Sequence, residues 1–175
     1  LAAHPHVAIM ADEIYSRLVL DNDKPYASFI PYTELHDRLI VLDGWSKTYA
    51  MTGWRLGWGL WPQSLADLAT KLAINVHSCV NAPTQFAGIA ALQGPQDAVE
   101  QMRQAFIRRR ELTVQGLNAL PGVSCIQPAG AFYAFPNISK TGYSARQLQD
   151  ALLEEAGVAT IAGTRSPRRA RHRRL

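Results

Sequence analysis

The sequence predicts an α/β protein: a mostly parallel sheet, followed by a long connecting helix and a small α+β unit. Short, uninterrupted apolar runs end in polar residues, which is typical of parallel strands that are buried on both faces. One helical pattern is much longer than the others. With 175 residues, 47% of them hydrophobic, the chain can build a packed core in one or two small domains.

The first half of the chain contains the predicted sheet. Apolar runs over residues 7–10 and 39–42 form the first two strands, and a polar, proline-containing stretch separates them. Residues 55–61 form a third strand candidate, which ends at Pro62. Proline suits the first turn of a helix, so we expect a helix over residues 62–77, where leucines repeat at helical spacing.

Two further helices are expected to open at Pro83 and Pro95. The second of them extends to about residue 120, where Pro121 and Gly122 end it. This is the long helix that connects the two parts of the chain.

The segment after the long helix has the pattern of a small α+β unit. Strands are predicted over residues 123–126, 132–135 and 158–161, with a helix between the second and the third. That helix starts near Ser144, and Gln147 three residues later gives it the form of a capping box.

These patterns divide the chain into a sheet domain over residues 1–95, a connecting helix with a small domain over 96–164, and a tail over 165–175. The tail holds six of the 18 basic residues and no acidic ones. The rest of the chain has 12 basic and 14 acidic residues, so the net charge of +4 belongs to the tail. A reading-frame shift would produce such a change of composition, and an arm that binds nucleic acid is the alternative.

Composition excludes several classes of protein. No window approaches the ~18 to 20 consecutive apolar residues of a transmembrane helix. The two cysteines, Cys79 and Cys125, are too few for a disulfide framework or a zinc site, so we expect no metal and a reducing, cytoplasmic compartment. No secretory signal is visible, and a chain that opens on Leu1 rather than Met is interpreted as a fragment.

Residues that could do chemistry follow the predicted strands. Asp12 and Tyr15 come after the first strand, Ser46 and Lys47 come after the second, and Arg55 opens the third. Each alone has an ordinary explanation as a turn, a surface residue or an ion pair. Ligands of open α/β sheets lie beyond the carboxyl ends of the strands, however, so the combination indicates a site.

The combination of residue types suits one cofactor. A lysine that is desolvated at a strand end can lose its proton and bond to an aldehyde. An acid that faces a pyridine nitrogen keeps the ring protonated, and an arginine with a nearby hydroxyl can hold a phosphate. Lysine, acid, arginine and serine together predict a site for pyridoxal phosphate.

Residues 46–58, Ser-Lys-Thr-Tyr-Ala-Met-Thr-Gly-Trp-Arg-Leu-Gly-Trp, resemble the cofactor-lysine signature of class I/II aminotransferases. These are the aspartate aminotransferase-like enzymes of the type I pyridoxal phosphate fold. Residues 12–15, Asp-Glu-Ile-Tyr, begin 35 positions before Lys47 and match the family's acid and tyrosine for the cofactor ring. Residues 128–133, Pro-Ala-Gly-Ala-Phe-Tyr, are similar to a small-domain strand at the edge of its substrate pocket. The resemblance covers residues 1–164, as the C-terminal portion of such an enzyme.

The resemblance implies a role for each candidate residue. Lys47 would bond to pyridoxal 5′-phosphate and then move the proton of the substrate α-carbon. Asp12 would keep the pyridine nitrogen protonated, Tyr15 would bond the ring oxygen, and Ser46 and Arg55 would hold the phosphate. The implied reaction moves an amino group between an amino acid and a 2-oxo acid.

The resemblance also implies a homodimer, in which residues 77–85 approach the neighbouring subunit's pocket. Three other interpretations stay open. A lyase or synthase of the same fold would share these motifs. A truncated, inactive fragment is a second alternative, because the family's first half completes the cofactor site. Binding to nucleic acid has only the tail in its favour.

Overall fold

The computed structural model describes residues 3–163, and the chain divides into two compact units. Unit 1 comprises Leu1–Ile107 and Ala129–Phe132, and unit 2 comprises Arg108–Pro128 and Tyr133–Leu175. The basic tail of residues 165–175 lies outside the described residues, and the domain boundaries expected at residues 95 and 164 stay a prediction.

A three-stranded sheet organises unit 1, in the order β1 (Ile9–Asp12), β2 (Leu39–Gly44) and β3 (Gly57–Leu60). β1 and β2 are parallel, and Asp12 lies opposite Leu42 in the register. The predicted parallel pair is therefore confirmed.

The third strand runs in the opposite direction to the other two, whereas the sequence predicted a mostly parallel sheet. β3 is antiparallel to β2, with Gly57 opposite Gly44. Only twelve residues separate the two strands, and a parallel crossover usually needs a helix of its own within that connection. The short connection therefore returns the chain beside β2 in the opposite direction.

The prediction of burial on both faces is wrong. The core cluster contains Ala11, Leu39 and Val41, and Leu35 from a short 3-10 helix over Thr33–Arg38 packs against them. Met10 in β1 is 62% exposed, and all four residues of β3 are exposed. Within the described residues, packing covers one face of the sheet much better than the other.

Helices follow the sheet strands in unit 1. A single turn, α1 (Trp45–Thr48), comes directly after β2, and a 3-10 turn over Thr52–Trp54 precedes β3. The helix α2 (Gln63–His77) begins after Pro62, as predicted. The helix α3 (Ala82–Gln93) has Pro83 in its first turn.

The last two helices also match their sequence signals. The long helix α4 (Asp97–Asn118) is confirmed, and the division between the units falls within it. The helix α5 (Ala145–Ala156) opens with the expected capping box: Ser144 Oγ accepts from Gln147 N at 3.3 Å, and Gln147 Oε1 accepts from Ser144 N at 3.0 Å. Gly157 ends α5 in the left-handed conformation, with φ of 65°. None of the helices described is both long and apolar enough to cross a bilayer.

The three strands predicted after α4 are wrong. Residues 123–126 contribute one antiparallel bridge, between Ser124 and Asn137, and residues 132–135 and 158–161 are irregular. Phe135 is 78% exposed and Ile161 is 95% exposed. A strand needs a partner for its backbone groups, and an apolar pattern in the sequence cannot supply one.

Candidate active site

Asp12 and Tyr15 lie where the chain leaves β1. The backbone N–H of Glu13 donates to the Leu42 carbonyl at 2.7 Å, so the pairing with β2 continues one residue past the strand. The Asp12 carboxylate then accepts the Ile14 N–H at 3.3 Å. A tight turn follows, in which Ser16 N donates to Glu13 O at 2.8 Å, and it places Tyr15 beyond the strand ends.

Ser46 and Lys47 lie on α1, immediately beyond β2. Gly44 allows the turn, because a Cβ there would lie 2.8 Å from the Leu56 carbonyl oxygen and 2.9 Å from Gly57 Cα. Trp45 N donates to the same Leu56 oxygen at 3.2 Å. This bond ties the lysine-bearing turn to the segment that carries Arg55.

Lys47 lies among aromatic side chains. Its Nζ is 6.0 Å from the centre of the Tyr15 ring and 5.6 Å from the centre of the Phe132 ring. Tyr15 and Phe132 meet edge to face at 5.4 Å, and Phe106 stacks on Phe132 at 5.5 Å. Cation–aromatic contacts at this distance attract the ammonium group weakly and restrict its directions.

Phe132 reaches this cluster through backbone pairing. Ala131 N donates to Leu18 O at 2.9 Å, and Leu20 N donates to Ala129 O at 2.8 Å. The sequence resemblance placed Phe132 at the edge of a substrate pocket, but it did not predict contact with Lys47. Sequence reasoning therefore missed it as a site residue, although the Pro-Ala-Gly-Ala-Phe-Tyr motif was the signal that could have found it.

Arg55 lines a large cleft. Its backbone is left-handed, with φ of 56°, and one guanidinium N–H donates to the Thr52 carbonyl at 2.9 Å. A guanidinium has five N–H donors, so this bond leaves capacity for an anion. The cleft has a volume of about 970 Å³, in the range of cofactor pockets. Its lining comprises Ala50, Gly53, Trp54, Arg55, Gly57, His77, Cys79, Val80, Asn81 and Thr84.

The residues present fit a phosphorylated cofactor in four respects. Arg55 offers charged donors, and Gly53 in the same cleft has open space where a side chain would stand, since a Cβ there would meet nothing within 4 Å. Lys47 supplies the amine, and Asp12 ends the strand next to that of Lys47.

Among residues 3–163, no group of three or more His, Cys, Asp and Glu side chains is placed to hold a metal ion.

Acidic side chains concentrate negative charge at the ends of β1 and β2. Burial raises the pKa of the Tyr26 phenol, and the carboxylates of Glu13, Asp43 and Asp12 raise it further. Glu13 is buried, and it accepts from Ser28 Oγ at 2.7 Å and Phe29 N at 2.9 Å. These bonds assign Glu13 to the support of the loop and leave Asp12 as the exposed carboxylate at the strand end.

A further contact anchors the lysine-bearing turn to α3. The Trp45 indole N–H donates to the Gly88 carbonyl at 3.0 Å. A Cβ at Gly88 would lie 2.5 Å from Leu56 Cδ2 and 3.3 Å from the Trp45 ring, so a side chain there would require Leu56 and Trp45 to shift. Neither contact had a signal in the sequence, because both depend on tertiary packing.

The structure brings some predicted site residues together directly. Lys47 and Tyr15 are in ring contact, and Ser46 and Arg55 flank the Trp45–Leu56 hydrogen bond. Asp12 is joined to them through the parallel pairing of β1 and β2. The cleft at Arg55 is lined by residues other than Lys47, Tyr15 and Asp12.

The chain matches the family described as aminotransferase class I and II over residues 1–173. It belongs to the class I and II aminotransferases. The family match runs past residue 164, where the motif resemblance was expected to end. Aminotransferases of this family generally use pyridoxal phosphate, and their solved structures share the α/β fold.

Several known aminotransferases resemble the chain in sequence. It is 39% identical to the aspartate aminotransferase of Streptomyces avermitilis, over 93% of this chain and 42% of that protein. It is also 39% identical to the aspartate/prephenate aminotransferase of Cereibacter sphaeroides, over 93% of this chain and 43% of that protein. The chain therefore spans less than half the length of these aminotransferases.

Solved aminotransferase structures resemble the fold. The aspartate aminotransferase of Rhizobium meliloti aligns with a TM-score of 0.85 and 32% identity, over 94% of this chain and 44% of that one. The aromatic aminotransferase of Pyrococcus horikoshii aligns with a TM-score of 0.84 and 34% identity, over 90% of this chain and 42% of that one.

Proposed function

We propose that the intact protein is a pyridoxal phosphate-dependent aminotransferase, which moves an amino group between an amino acid and a 2-oxo acid. One observation carries the proposal. In a chain of this family, a half-buried lysine follows β2 at the carboxyl edge of the sheet, next to the strand that ends in Asp12. Ligands of open α/β sheets bind beyond this edge.

The chain's own residues divide the work. Pyridoxal phosphate, when bound, withdraws electrons from the substrate α-carbon, so that its proton can leave. Lys47 binds the cofactor through its amine and afterwards holds the proton taken from that carbon. Asp12 keeps the ring nitrogen protonated, and Arg55 and Ser46 hold the phosphate. The Tyr15 hydroxyl would bond the ring oxygen, as the family resemblance implies.

The aromatic cluster, defined by Tyr15, Phe132 and Phe106, affects how freely the Lys47 side chain can move. The Tyr15 and Phe132 ring centres lie 6.0 and 5.6 Å from Lys47 Nζ, and this attraction would limit the freedom of the lysine side chain. An amine that must move a proton between fixed positions benefits from such restriction.

Substrate and assembly are part of the proposal. Three of the relatives described above are named for aspartate, one of them also for prephenate, and a fourth is named for aromatic amino acids. Aspartate and aromatic amino acids are therefore the first donors to test. We also propose a homodimer, on the family resemblance of residues 77–85. The proposed compartment is the cytoplasm, because two cysteines are too few for a disulfide framework.

The decisive experiment is covalent trapping in the intact protein. The protein with bound pyridoxal phosphate is reduced with borohydride and digested, and its peptides are mapped by mass spectrometry. We expect the cofactor mass on Lys47, with Lys71 and Lys24, both exposed, as internal controls. The label on either control lysine would overturn the assignment of Lys47.

A substrate panel then separates the reaction classes. Transamination converts the donor to its 2-oxo acid and the acceptor to its amino acid in equal amounts. A lyase or synthase of the same fold would consume the donor without aminating the acceptor. A protein that carries the label yet converts no donor in either way would support the inactive alternative.

A further inference from the structure

We propose that the hydrogen bond between Ser16 and Asp43 positions Lys47 against Tyr15 for the transfer of the α-proton. Ser16 and Asp43 are thus positioning residues. The proposal rests on the proposed function, because it concerns the same lysine.

Asp43 accepts one hydrogen bond within its own strand and one from the segment after β1. Its Oδ2 accepts from Ser16 Oγ at 3.0 Å, and its Oδ1 accepts from Gly44 N at 2.6 Å. The second bond fixes the start of the turn that carries Lys47. The first bond reaches across to the residue that follows Tyr15.

The position of this bond gives it leverage. Pairing between β1 and β2 extends to the bond from Glu13 N to Leu42 O. Past that point the chain after β1 turns away from the sheet, whereas β2 continues to Gly44 in pairing with β3. Tyr15 and Lys47 both lie beyond the pairing, on short turns. The bond between Ser16, in the turn after β1, and Asp43, near the end of β2, therefore fixes a spacing that the β1–β2 backbone pairing does not reach.

The hydrogen bond between Ser16 and Asp43 is of a kind that can hold two segments at a fixed distance. A hydroxyl that donates to a carboxylate makes a charge-assisted bond, which is stronger than one between neutral groups. Asp43 and Ser16 are both partly buried, so water competes less for them than at an exposed site. Ser16 is itself held, since its N–H donates to Glu13 O at 2.8 Å.

A positioning role makes a different prediction from a purely structural one. Loss of the bond should leave the fold and the cofactor in place, but it should let Lys47 move. A shift of about 1 Å in a reacting group can reduce a rate about 100-fold. A purely structural bond would instead lower the melting temperature and leave the reaction of the folded protein unchanged.

The test uses the intact protein as its gene encodes it. The variants are Ser16→Ala, Asp43→Ala, the double variant and Asp43→Asn, which retains an oxygen acceptor. Ser64→Ala and Asp67→Ala on exposed positions of α2 are the matched controls. Ser16→Ala keeps the Asp43–Gly44 bond, so it tests the proposal even where Asp43→Ala does not fold.

Two measurements are made on each variant. In the cofactor-free protein, the acetylation rate of Lys47 is measured by mass spectrometry relative to that of Lys71. We expect it to rise at least about threefold in Ser16→Ala and Asp43→Ala, since local opening exposes the amine. In the loaded protein, we expect the single-turnover rate of amino transfer to fall at least about tenfold in each.

The double variant checks the coupling. Because the two residues act through one bond, the double variant should lose little more than either single variant, and Asp43→Asn should recover part of the rate. Additive losses, or acetylation rates equal to those of the controls, would overturn the positioning role. If acetylation changes as expected while the wild-type protein transfers no amino group, the positioning role stands and the proposed function fails.

Discussion

Asp12 and Glu13 are neighbouring carboxylates with different tasks. Glu13 points into the unit and is buried by its bonds to the loop at Ser28 and Phe29. Asp12 is exposed at the end of β1. Alternation along a strand places successive side chains on opposite faces, so the sequence order alone decides which acid can meet a ligand.

We expect Asp12→Ala to impair chemistry far more than cofactor attachment. In the proposed site, Arg55 and Ser46 hold the phosphate and Lys47 bonds to the cofactor, so attachment does not depend on Asp12. A neutral ring nitrogen, in contrast, stabilises the developing carbanion poorly. Turnover should fall by about three orders of magnitude, or about 4 kcal/mol of barrier. Absorbance of the bound cofactor and steady-state turnover measure the two effects separately.

Asp37→Ala, at an exposed position of the 3-10 helix before β2, is the control for that experiment. It should retain both cofactor binding and turnover. Near-normal turnover of Asp12→Ala would show that another group protonates the ring, and Asp43 would be the next candidate.

Gly44 and Gly53 provide a matched pair of glycines. A methyl group at Gly44 would stand 2.8 Å from a backbone oxygen and 2.9 Å from a backbone carbon, whereas one at Gly53 would meet nothing within 4 Å. We therefore expect Gly44→Ala to destabilise unit 1 by about 1–3 kcal/mol, the usual range for overpacking. Gly53→Ala should leave stability almost unchanged. Urea unfolding of both variants measures the difference, and equal midpoints would contradict the prediction.

The candidate residues could be read from the sequence because their signals are local. Lys47 and Asp12 each follow a short apolar run. Ligands of open α/β sheets lie beyond the carboxyl ends of the strands, so these residues can be chosen as candidates without tertiary information. The pairing of Ser16 with Asp43, and the contact of Phe132 with Lys47, join positions far apart in the chain. Nothing in the sequence specifies such pairs, so only the folded structure reveals them.

At the scale of elements, helices were predicted much better than strands. The helices α2, α4 and α5 begin within two residues of a proline or a capping serine, and these signals act within one turn. The strands expected over residues 132–135 and 158–161 did not form. A strand depends on partners elsewhere in the chain, whereas a helix satisfies its own backbone.

The helix α4 carries an ion pair that predicts a pH dependence of stability. Arg103 donates to both carboxylate oxygens of Glu100, at 2.8 and 2.9 Å, and also bonds Val19 O and Asn22 Oδ1 at 3.1 and 3.0 Å. Hydrogen bonds from Arg103, and then from Gln104, lower the pKa of Glu100 to about 2 from its ordinary 4.5. The folded state thus favours the ionised carboxylate.

The sign of the effect follows from linkage. A carboxyl group with a lowered pKa stabilises the folded state above its ordinary pKa and loses that contribution as the pH falls. Glu100→Gln should therefore melt below the wild type at pH 7. The difference should shrink from about pH 4.5 and vanish near pH 2. Glu111→Gln, at an exposed position of the same helix, is the control, and a pH-independent difference for Glu100→Gln would contradict the assignment.

At the scale of the whole molecule, the chain exposes much apolar surface. Leu68, Leu72 and Val76 of α2 are 61–69% exposed, and Phe86 of α3 is 74% exposed. The apolar pattern of α2 correctly predicted a helix, and none of its residues is buried. The relatives are more than twice as long as this chain, so a sequence pattern selected in a larger protein need not be buried in these residues alone.

The arrangement of sites in the proposed homodimer can be decided with mixed subunits. The family resemblance predicts that residues 77–85 serve the neighbouring subunit, yet His77, Cys79 and Val80 line a cleft with Arg55 of their own chain. We propose that sites are shared, and the two arrangements give opposite outcomes. One subunit carries Lys47→Ala, and the other carries alanine at His77, Cys79 and Val80.

With shared sites, each mixed dimer combines both lesions in one site and leaves the other site intact. Random mixing makes half of the dimers mixed, so about a quarter of the wild-type activity should return from two inactive parents. If the segment serves its own chain, every site in a mixed dimer contains one lesion and no activity returns. The intact Asn81 in both subunits preserves the cap of α3, where its side chain accepts from Thr84 N at 3.2 Å, so a failure to recover would count against sharing and not against folding of the helix.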